Sequence, residues 1–415
     1  MPNLRRVLHG LAASLTTVSG VLAAFTTPAV AKPITVIVSA GDLDRQNTPV
    51  PLTLPAELAG KPFELRGPGG RLPLDLDAQG AGVFVLPSLK KGKQARYQLH
   101  ELKRPPKAAA GVEVVRDKDN VDVRVAGKRV LRYQADNIPP RPDIGPEFHR
   151  GGYLHPLFTP SGVQVTDDYP KDHKHHHGIW TAWTSTEYEG RKPDFWNVGG
   201  KKARKDHVST GEVLPGAAAG RFTTQLSSTD LSATPPRQVL KETWKVTVYR
   251  THAKAPPYYL FDLEWTDEIV GSVPLVLPQY RYGGLGVRGH IDWFGKDRAY
   301  FLTSEGKDRS NGEDSTARWV HMGGKTGETL AGIAVLDHPG NFRAPQPVRI
   351  HPDQPFLCYS PPKAGKMSLD PGKPYTSRYR FVVADGAPDK ALLERLWNDY
   401  AHPPAVELKP AAGRS

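Results

Sequence analysis

Four histidines fall within five positions of the segment DHKHHHGIW, which occupies residues 172–180. They are His173, His175, His176 and His177. Imidazole titrates near neutral pH, and neighbouring imidazoles lower one another's pKa. One histidine of such a group can accept a proton while another stays protonated, which general acid/base catalysis requires. The apolar run GIWTAW that follows predicts that the cluster lies on a loop entering a strand.

Two other interpretations of the cluster stay open. The first is a divalent metal site with His173, His175 and His176 as ligands, because imidazole is a common transition-metal ligand. Asp172 or His338 would complete such a site. The usual zinc spacings are absent, since the sequence has no H-E-x-x-H and a single cysteine. The second interpretation is a structural loop whose ring N–H groups bond to backbone carbonyls. No cofactor other than a divalent metal is indicated.

Four further segments combine turn residues with polar or aromatic side chains. They are GGYLHPLFTPSG with His155, PDFWNVGG with Asp194 and Trp196, QYRYGGLGVRG with Tyr282 and Arg288, and LDHPGNFRAP with Asp337, His338 and Asn341. Such segments are typical of loops at the mouth of a β-sandwich, so we expect them to form one cleft with the histidines. Aromatic rings stack on sugars, and arginine binds carboxylate or sulfate groups. The cleft therefore suits a sugar ligand.

These segments supply two predicted sets of site residues. The catalytic set is His155, Asp172, His173, His175, His176, Asp337 and His338. The substrate-binding set is Trp180, Asp194, Trp196, Tyr282, Arg288 and Asn341. We expect His175 or His176 to be the general base and His338 or His155 to be its acid partner. Asp172 or Asp337 would orient an imidazole. Arg288 would hold a carboxylate of the substrate or stabilise an oxyanion.

The elements that must position these residues are predicted to be strands. KETWKVTVYR places Trp244, Val246 and Val248 on one face, and PYYLFDLEWTDE alternates in the same way. The 40 glycines and 40 prolines divide the chain into short runs, and no strand–helix–strand rhythm is present. Period-two alternation interrupted by turns is typical of an antiparallel sandwich. We therefore expect an all-β fold dominated by a large antiparallel β-sandwich.

Composition changes along the chain predict five parts. Residues 1–31 have a basic start, a short apolar run and an Ala-x-Ala end, as a signal peptide does. A small N-terminal β-domain follows at 32–105, and the large sandwich with its histidine-lined cleft spans 111–388, with a mobile loop at 191–220. DKALLERLWNDYA predicts a C-terminal helix at 389–401, with an apolar face at spacings of three and four. Residues 402–415 are predicted to be a frayed tail.

Charge and the signal peptide limit the compartment and the partners. The formal net charge is +12, of which about +10 is left once Arg5 and Arg6 depart with the signal peptide. We expect a periplasmic or secreted protein whose partner is a carbohydrate, with acidic polysaccharides included. No nucleic-acid module is evident, and no later stretch reaches the roughly 20 apolar residues of a membrane span. Cys358 stands alone, so no internal disulfide forms.

The five segments resemble a bacterial family of unknown function that carries the label methane oxygenase PmoA-like. The family pattern has Tyr-x-His-Pro, D-H-P-H-H-R-G, D-F-W, Y-G-G…R and D-H-P-x-N-x-R in that order, and all five occur between residues 150 and 345. Two positions depart from the pattern, since Lys174 replaces its proline and His177 its arginine. The resemblance implies a sandwich of the galactose-mutarotase type. Methane oxidation is not expected, because that chemistry needs membrane-spanning helices.

The leading hypothesis is an exported carbohydrate-active enzyme. It would act on a sugar or an oligosaccharide, acidic ones included, by histidine acid/base chemistry of the lyase, epimerase or hydrolase type. The first alternative is a metal-dependent enzyme that uses the histidine cluster. The second alternative is a glycan-binding envelope protein without catalytic activity.

Overall fold

The computed structural model describes residues 34–105, 111–135, 141–252 and 257–410. The predicted signal peptide at 1–31 lies outside the described residues, and so do residues 106–110, between the predicted N-terminal β-domain and the predicted sandwich. Within these ranges all paired strands are antiparallel and the one α-helix lies between the last two strands, which confirms the predicted all-β class. Among the described residues, no helix has both the length and the apolar character needed to cross a membrane.

The strands alternate with short turns along the whole chain. In chain order they are β1 Ile34–Ser39, β2 Arg45–Thr53, β3 Phe63–Gly67, β4 Gly70–Leu76, β5 Ala81–Leu89, β6 Gln94–Glu101, β7 Val112–Asp117, β8 Asn120–Val125, β9 Lys128–Gln134, β10 Tyr153–Leu157, β11 Ile179–Ala182, β12 Ala203–Leu214, β13 Ala219–Asp230, β14 Arg237–Tyr249, β15 Tyr258–Ile269, β16 Leu275–Leu277, β17 Gly284–Arg288, β18 Ala299–Thr303, β19 Trp319–Thr326, β20 Thr329–Asp337, β21 Val348–Ile350, β22 Phe356–Tyr359, β23 Met367–Leu369, β24 Tyr375–Asp385 and β25 Ala405–Pro410. The α-helix α1 is Lys390–Ala401, and single 3-10 turns occur at Ala56–Leu58, Pro146–Phe148, Val198–Gly200, Ile291–Trp293 and Pro361–Ala364.

Three large sheets and a two-stranded ribbon are built from these strands. The N-terminal sheet has the order β2-β5-β4-β3-β6-β1-β25. The cleft sheet has the order β21-β22-β17-β11-β10-β9-β8-β7, and the backing sheet has the order β12-β13-β14-β15-β24-β20-β19-β18. The ribbon pairs β16 with β23. Side chains of the cleft sheet and the backing sheet share the largest apolar core, so these two sheets form the sandwich.

Alternation along the strands fills that core. Trp244, Val246 and Val248 of β14 point into it, together with Phe261 and Trp265 of β15, as the sequence pattern predicted. Removing one such large side chain from water contributes about 1.5–3 kcal/mol. The opposite face of β14 carries polar residues such as Thr243, Lys245 and Thr247, because successive side chains alternate across a sheet.

Two segments differ from the sequence prediction. Ala203–Leu214 is strand β12, which pairs with β13, although it was predicted to belong to a mobile loop. Its buried positions include Lys205, whose ammonium group binds the Glu242 carboxylate, so polar side chains hid the strand pattern. Ala405–Pro410 was predicted to be frayed, yet it is strand β25, pairs with β1 and packs Val406 and Leu408 on the N-terminal sheet.

The helix α1 packs on the face of the backing sheet that points away from the cleft sheet. The Asp389 carboxylate accepts a hydrogen bond from the Leu392 N–H at 3.0 Å, which caps the first turn. Leu393 and Leu396 are buried, and they join an apolar cluster with backing-sheet residues such as Leu260. The predicted helix is therefore confirmed, and its apolar face covers the second side of the backing sheet.

Replacing Leu396 by alanine should lower the free energy of unfolding by about 2–5 kcal/mol, because the side chain is fully buried. Chemical denaturation followed by fluorescence measures the loss. Lys390→Ala is the matched control on the same helix, since Lys390 is exposed, and should change stability by about 0.5 kcal/mol or less. Equal effects of the two substitutions would contradict the packing described for α1.

Candidate functional site

The outer face of the cleft sheet carries a second apolar cluster. Tyr153, Trp180 and Ala182, from β10 and β11, meet Phe356 and Cys358 of β22 and the loop residue Trp196 there. Gly286 of β17 lies under two indoles, since a Cβ at this position would come within 2.7 Å of Trp180 and 2.9 Å of Trp196. A glycine here allows the two rings to pack directly on the strand. These aromatic side chains form an apolar floor beneath the polar residues described next.

An open cleft of about 150 Å³ lies above this floor. Its lining comprises His173, His175, His176, Trp196, Asn197, Arg281, Tyr282, Arg349, His351 and Phe356. Typical drug-sized ligands occupy ~300–1,000 Å³. The cleft therefore has room for one small ligand or for one unit of a longer one. Five of the residues predicted for the site, namely His173, His175, His176, Trp196 and Tyr282, are brought together in it.

The histidine loop is held in a compact turn before β11. The His176 N–H donates to the His173 carbonyl at 2.8 Å, and the Tyr169 N–H donates to the His176 carbonyl at 3.1 Å. The His176 ring stacks on the rings of His173 and Phe356, with centroids 4.7 Å away in each case. His175 lies edge-on to His176, also at 4.7 Å, and reaches into the cleft.

Burial makes three of the lining imidazoles weak bases. It lowers the pKa of His175 to about 4, and the neighbouring His173 adds to the effect. The pKa of His351 is also lowered to about 4, by burial first and then by Arg349. The pKa of His176 lies well below its ordinary value, chiefly because the ring is fully buried. All three rings are neutral near pH 7, so the protonated partner expected in the cluster is not among them.

Arg288 of β17 fixes the loop from below. Its side chain has no exposed surface, and its Nη2 lies 3.1 Å from the Oδ1 of Asp172. Its Nη1 donates to the Oε1 of Gln354 at 3.1 Å and lies 3.4 Å from the Nδ1 of His176. Burial would raise the pKa of Asp172, but the charge of Arg288 and the bond from His173 outweigh it and lower that pKa. Arg288 thus positions the histidines and does not line the cleft, contrary to its predicted contact with the substrate.

The hairpin of β21 and β22 supplies residues that the sequence analysis did not single out. Arg349 and His351 line the cleft, and Gln354 lies behind them. The His351 Nδ1 accepts the N–H groups of Asp353 and Gln354, both at 3.1 Å, so the ring is held firmly. The stretch RIHPDQPF repeats the His-Pro pair of the Tyr-x-His-Pro segment, and that repeat was the signal available in the sequence.

His155 and His177 lie beside the cleft and do not line it. The Nδ1 of His177 is 2.6 Å from the Oδ1 of Asp168, and the Tyr153 hydroxyl donates to the other oxygen at 2.9 Å. Burial raises the pKa of Asp168 to about 6 and lowers that of His177. The His155 ring bonds to the Thr166 hydroxyl at 3.0 Å. The predicted catalytic position of His155 therefore falls in this neighbouring network.

The segment LDHPGNFRAP lies on the backing sheet, so the prediction that it joins the cleft is wrong. Asp337 accepts bonds from the Asn341 side chain at 2.7 Å and from the Gln346 N–H at 2.8 Å. Burial raises the pKa of Asp337 to about 7. His338 lines a different cavity, beside Tyr400 of α1, between the backing sheet and the N-terminal sheet. The reason is that β20 pairs with β24 and β19 in the backing sheet.

The remaining predicted binding residues support the cleft wall. Asp194 accepts the N–H groups of Trp196 at 3.0 Å and Asn197 at 2.9 Å, and its second oxygen accepts the Asn197 side-chain amide at 2.8 Å. Trp180 is 0% exposed and Trp196 is 1% exposed, so neither indole is an open stacking platform. Tyr282 is half-buried and packs on Trp196 with centroids 5.9 Å apart, and it offers the accessible aromatic face.

A protein-family model matches residues 120–398, which include every strand of the sandwich except β7 and most of α1. The chain belongs to DUF6807, a family of unknown function. This agrees with the expected family of unknown function, and the match leaves out strands β1 to β7 and β25. A search of the curated proteins finds no match.

The predicted metal site finds no support in this DUF6807 chain. Over the part of the chain that the structure describes, no group of three or more His, Cys, Asp or Glu side chains is arranged to hold a metal ion. The ring of His176 is stacked between His173 and Phe356, and its Nδ1 faces Arg288. The orientation of the His176 ring is therefore set by packing and by its contact with Arg288.

Replacing Asp172 by asparagine should lower the free energy of unfolding by about 3 kcal/mol, because it leaves the buried Arg288 guanidinium without its counter-charge. Asp143→Asn is the matched control, since Asp143 is an exposed partner of Lys174 in the same region. Chemical denaturation should show a change of about 0.5 kcal/mol or less for that control. A stable Asp172→Asn variant would contradict the positioning role of the ion pair.

Proposed function

We propose that this chain is an exported carbohydrate-active enzyme that removes a proton next to the carboxylate of an acidic sugar, as a lyase or an epimerase. The observation that carries the proposal is the content of the cleft. Its ten lining residues include four imidazoles, two guanidinium groups, an asparagine and an accessible tyrosine. Proton abstraction beside a carboxylate needs a neutral base together with cations that stabilise the enolate-like oxyanion.

The same lining argues against ordinary glycoside hydrolysis. That reaction uses two carboxyl groups, on either side of the scissile bond. Among the described residues that line the cleft, none is an aspartate or a glutamate. The nearest carboxylate in the loop belongs to Asp172, which is engaged by Arg288 and His173. Histidine chemistry is therefore favoured over carboxylate chemistry.

His175 is the best candidate for the base. Its ring lines the cleft, is half-buried, and stands 5.5 Å from the His173 ring and 4.7 Å from the His176 ring between centroids. Its lowered pKa keeps it neutral near pH 7, and a bound sugar carboxylate would strengthen it as a base by placing negative charge nearby. His173 and His176 would keep the ring in place.

Arg349 and Arg281 are proposed to hold the sugar carboxylate. Arg349 is 9% exposed and is fixed by Glu313 at 3.1 Å and by the Ile350 carbonyl at 3.0 Å. Arg349 lines the cleft, so a ligand bound there would lie beside a guanidinium group that is already held in place. Arg281 is exposed and lies over the Tyr282 ring, with its guanidinium carbon 5.4 Å from the centroid. Both cations would stabilise the charge that develops on the carboxylate.

The step after proton removal decides the reaction class. In an elimination, the bond from the next carbon to the glycosidic oxygen breaks, a carbon–carbon double bond forms, and the leaving oxygen takes up a proton. In an epimerisation, the carbon is reprotonated from the opposite face. The Tyr282 hydroxyl is at the cleft wall and is the proposed proton donor in either case. The chemistry common to both classes is the first proton transfer.

Replacing His175 by alanine should reduce turnover of an acidic glycan by at least about 100-fold, the lower range for loss of a general base. Mass spectrometry of the products from a panel of acidic and neutral polysaccharides provides the assay. Lys174→Ala is the control, because the adjacent Lys174 side chain points away to the Asp143 carbonyl at 2.7 Å. Full activity of the His175→Ala variant would remove His175 as the base. Glycan binding with no product from the wild type would favour a non-catalytic binding protein.

The pH profile of kcat/KM should follow the lowered pKa of His175. The base acts when neutral, so activity should persist as pH falls below 6 and disappear as pH falls through about 4. A histidine in water would lose activity near its ordinary pKa of about 6.5 instead. An acid limb centred near 6.5 in an initial-rate profile, with the protein still folded by circular dichroism, would contradict the environment described for His175.

A further inference from the structure

A second cavity, of about 330 Å³, lies next to the cleft and shares one residue with it. The shared residue is Asn197, which lines both spaces. The second cavity is formed by the loop that follows β11, including residues 185–187 and 192–194, and by Lys202. A single side chain therefore stands between the two spaces. The cleft and the second cavity, which adjoin at Asn197, are together called the groove.

The position of Asn197 at this junction is fixed by its neighbours. Its amide nitrogen donates to the Asp194 carboxylate at 2.8 Å and lies 3.2 Å from the Thr184 hydroxyl. Asp194 also accepts two backbone N–H groups of its own turn. Asp194 was predicted to bind substrate, and its contacts here hold the junction in place. The junction is thus a rigid part of the groove wall.

Charge in the second cavity comes mainly from side chains that lack a partner. Lys192 and Lys202 are exposed, and neither forms an ion pair with any described residue. Glu187 is the opposing carboxylate that is open to solvent, while the Asp194 oxygens are engaged in hydrogen bonds. The cavity therefore presents two ammonium groups without ion-pair partners among the described residues, one solvent-exposed carboxylate, and hydroxyl and amide groups between them.

We infer that the second cavity binds further residues of an acidic oligosaccharide while one residue occupies the cleft. The inference rests on the proposed function, because it takes the cleft as the place of reaction. A chain of uronic acids repeats one carboxylate per sugar, so the cations at both ends of the groove can be met by a single ligand. The preferred substrate is accordingly an acidic oligosaccharide or polysaccharide, and an acidic monosaccharide is a poorer one.

The test compares binding of hexagalacturonate, galacturonate and neutral maltohexaose by isothermal titration at low salt. The wild type should bind the acidic hexamer at least about 10-fold more tightly than the acidic monomer, and maltohexaose more weakly than the hexamer. The double variant Lys192→Ala/Lys202→Ala should bind the hexamer roughly 2- to 20-fold more weakly, as loss of two exposed charge contacts implies. Its affinity for the monomer should stay unchanged.

The matched control is Lys241→Ala/Lys245→Ala, which removes two exposed charges from the outer face of the backing sheet. It should leave hexamer binding unchanged. Glu187→Gln supplies a test of opposite sign, since removing this carboxylate should strengthen binding of the acidic hexamer and leave maltohexaose unaffected.

Two results would overturn the inference. The first is that the wild type binds the acidic hexamer no more tightly than the acidic monomer. The second is that Lys241→Ala/Lys245→Ala loses as much affinity for the hexamer as Lys192→Ala/Lys202→Ala does. If the hexamer still yields product under the first result, the groove fails while the proposed function stands. If instead the hexamer binds in a lysine-dependent way but no product forms, the groove stands and the proposed function fails.

Discussion

A buried guanidinium group organises the site. Arg288 has no exposed surface, so its charge must be met inside the protein, and Asp172 and Gln354 meet it from two separate segments. An unpaired charge at this depth costs several kcal/mol, about 3–5 when one partner is lost. The ion pair therefore ties the histidine loop to the hairpin of β21 and β22. Gln354 adds a second link, because its side-chain nitrogen lies 2.8 Å from the His173 Nδ1 and its backbone N–H donates to the His351 Nδ1 at 3.1 Å.

The two faces of the cleft sheet have different roles, since one packs in the sandwich core and the other supports the candidate site. Its inner face fills the sandwich core with residues such as Val287 and Leu357, and its outer face supports the aromatic floor. Because that floor excludes water from below, it lowers the pKa of His175 and of His176 and keeps both rings neutral. The apolar layer beneath the cleft thus keeps His175 and His176 neutral and able to accept a proton, while cations such as Arg349 line the same cleft.

Local sequence patterns predicted which strand faces are buried and where the histidine loop lies. They did not predict which strands pair, because pairing joins segments that are far apart in the chain. Alternation in β14 and β15 fixed their core faces, and the histidine spacing located the loop of the cleft. The pattern could not say which sheet a strand joins, so the segment around His338 was assigned to the cleft although β20 belongs to the backing sheet. Lys205 hid β12, because a lysine at a buried position gives no apolar signal until its partner Glu242 is known. The segment around Val406 was predicted to be a frayed tail, because the local sequence does not show that its partner is β1 at the other end of the described chain.

Hydrogen exchange at the carbon beside the carboxylate tests the account most directly. The protein would be incubated with oligogalacturonate in deuterated water, and the recovered sugars and products would be examined by mass spectrometry and NMR. The account predicts deuterium at that carbon, or an unsaturated sugar in its place, for the wild type, and neither when His175 is replaced by alanine. A wild type that yields neither product, or a His175→Ala variant that matches it, would contradict proton abstraction by this cleft.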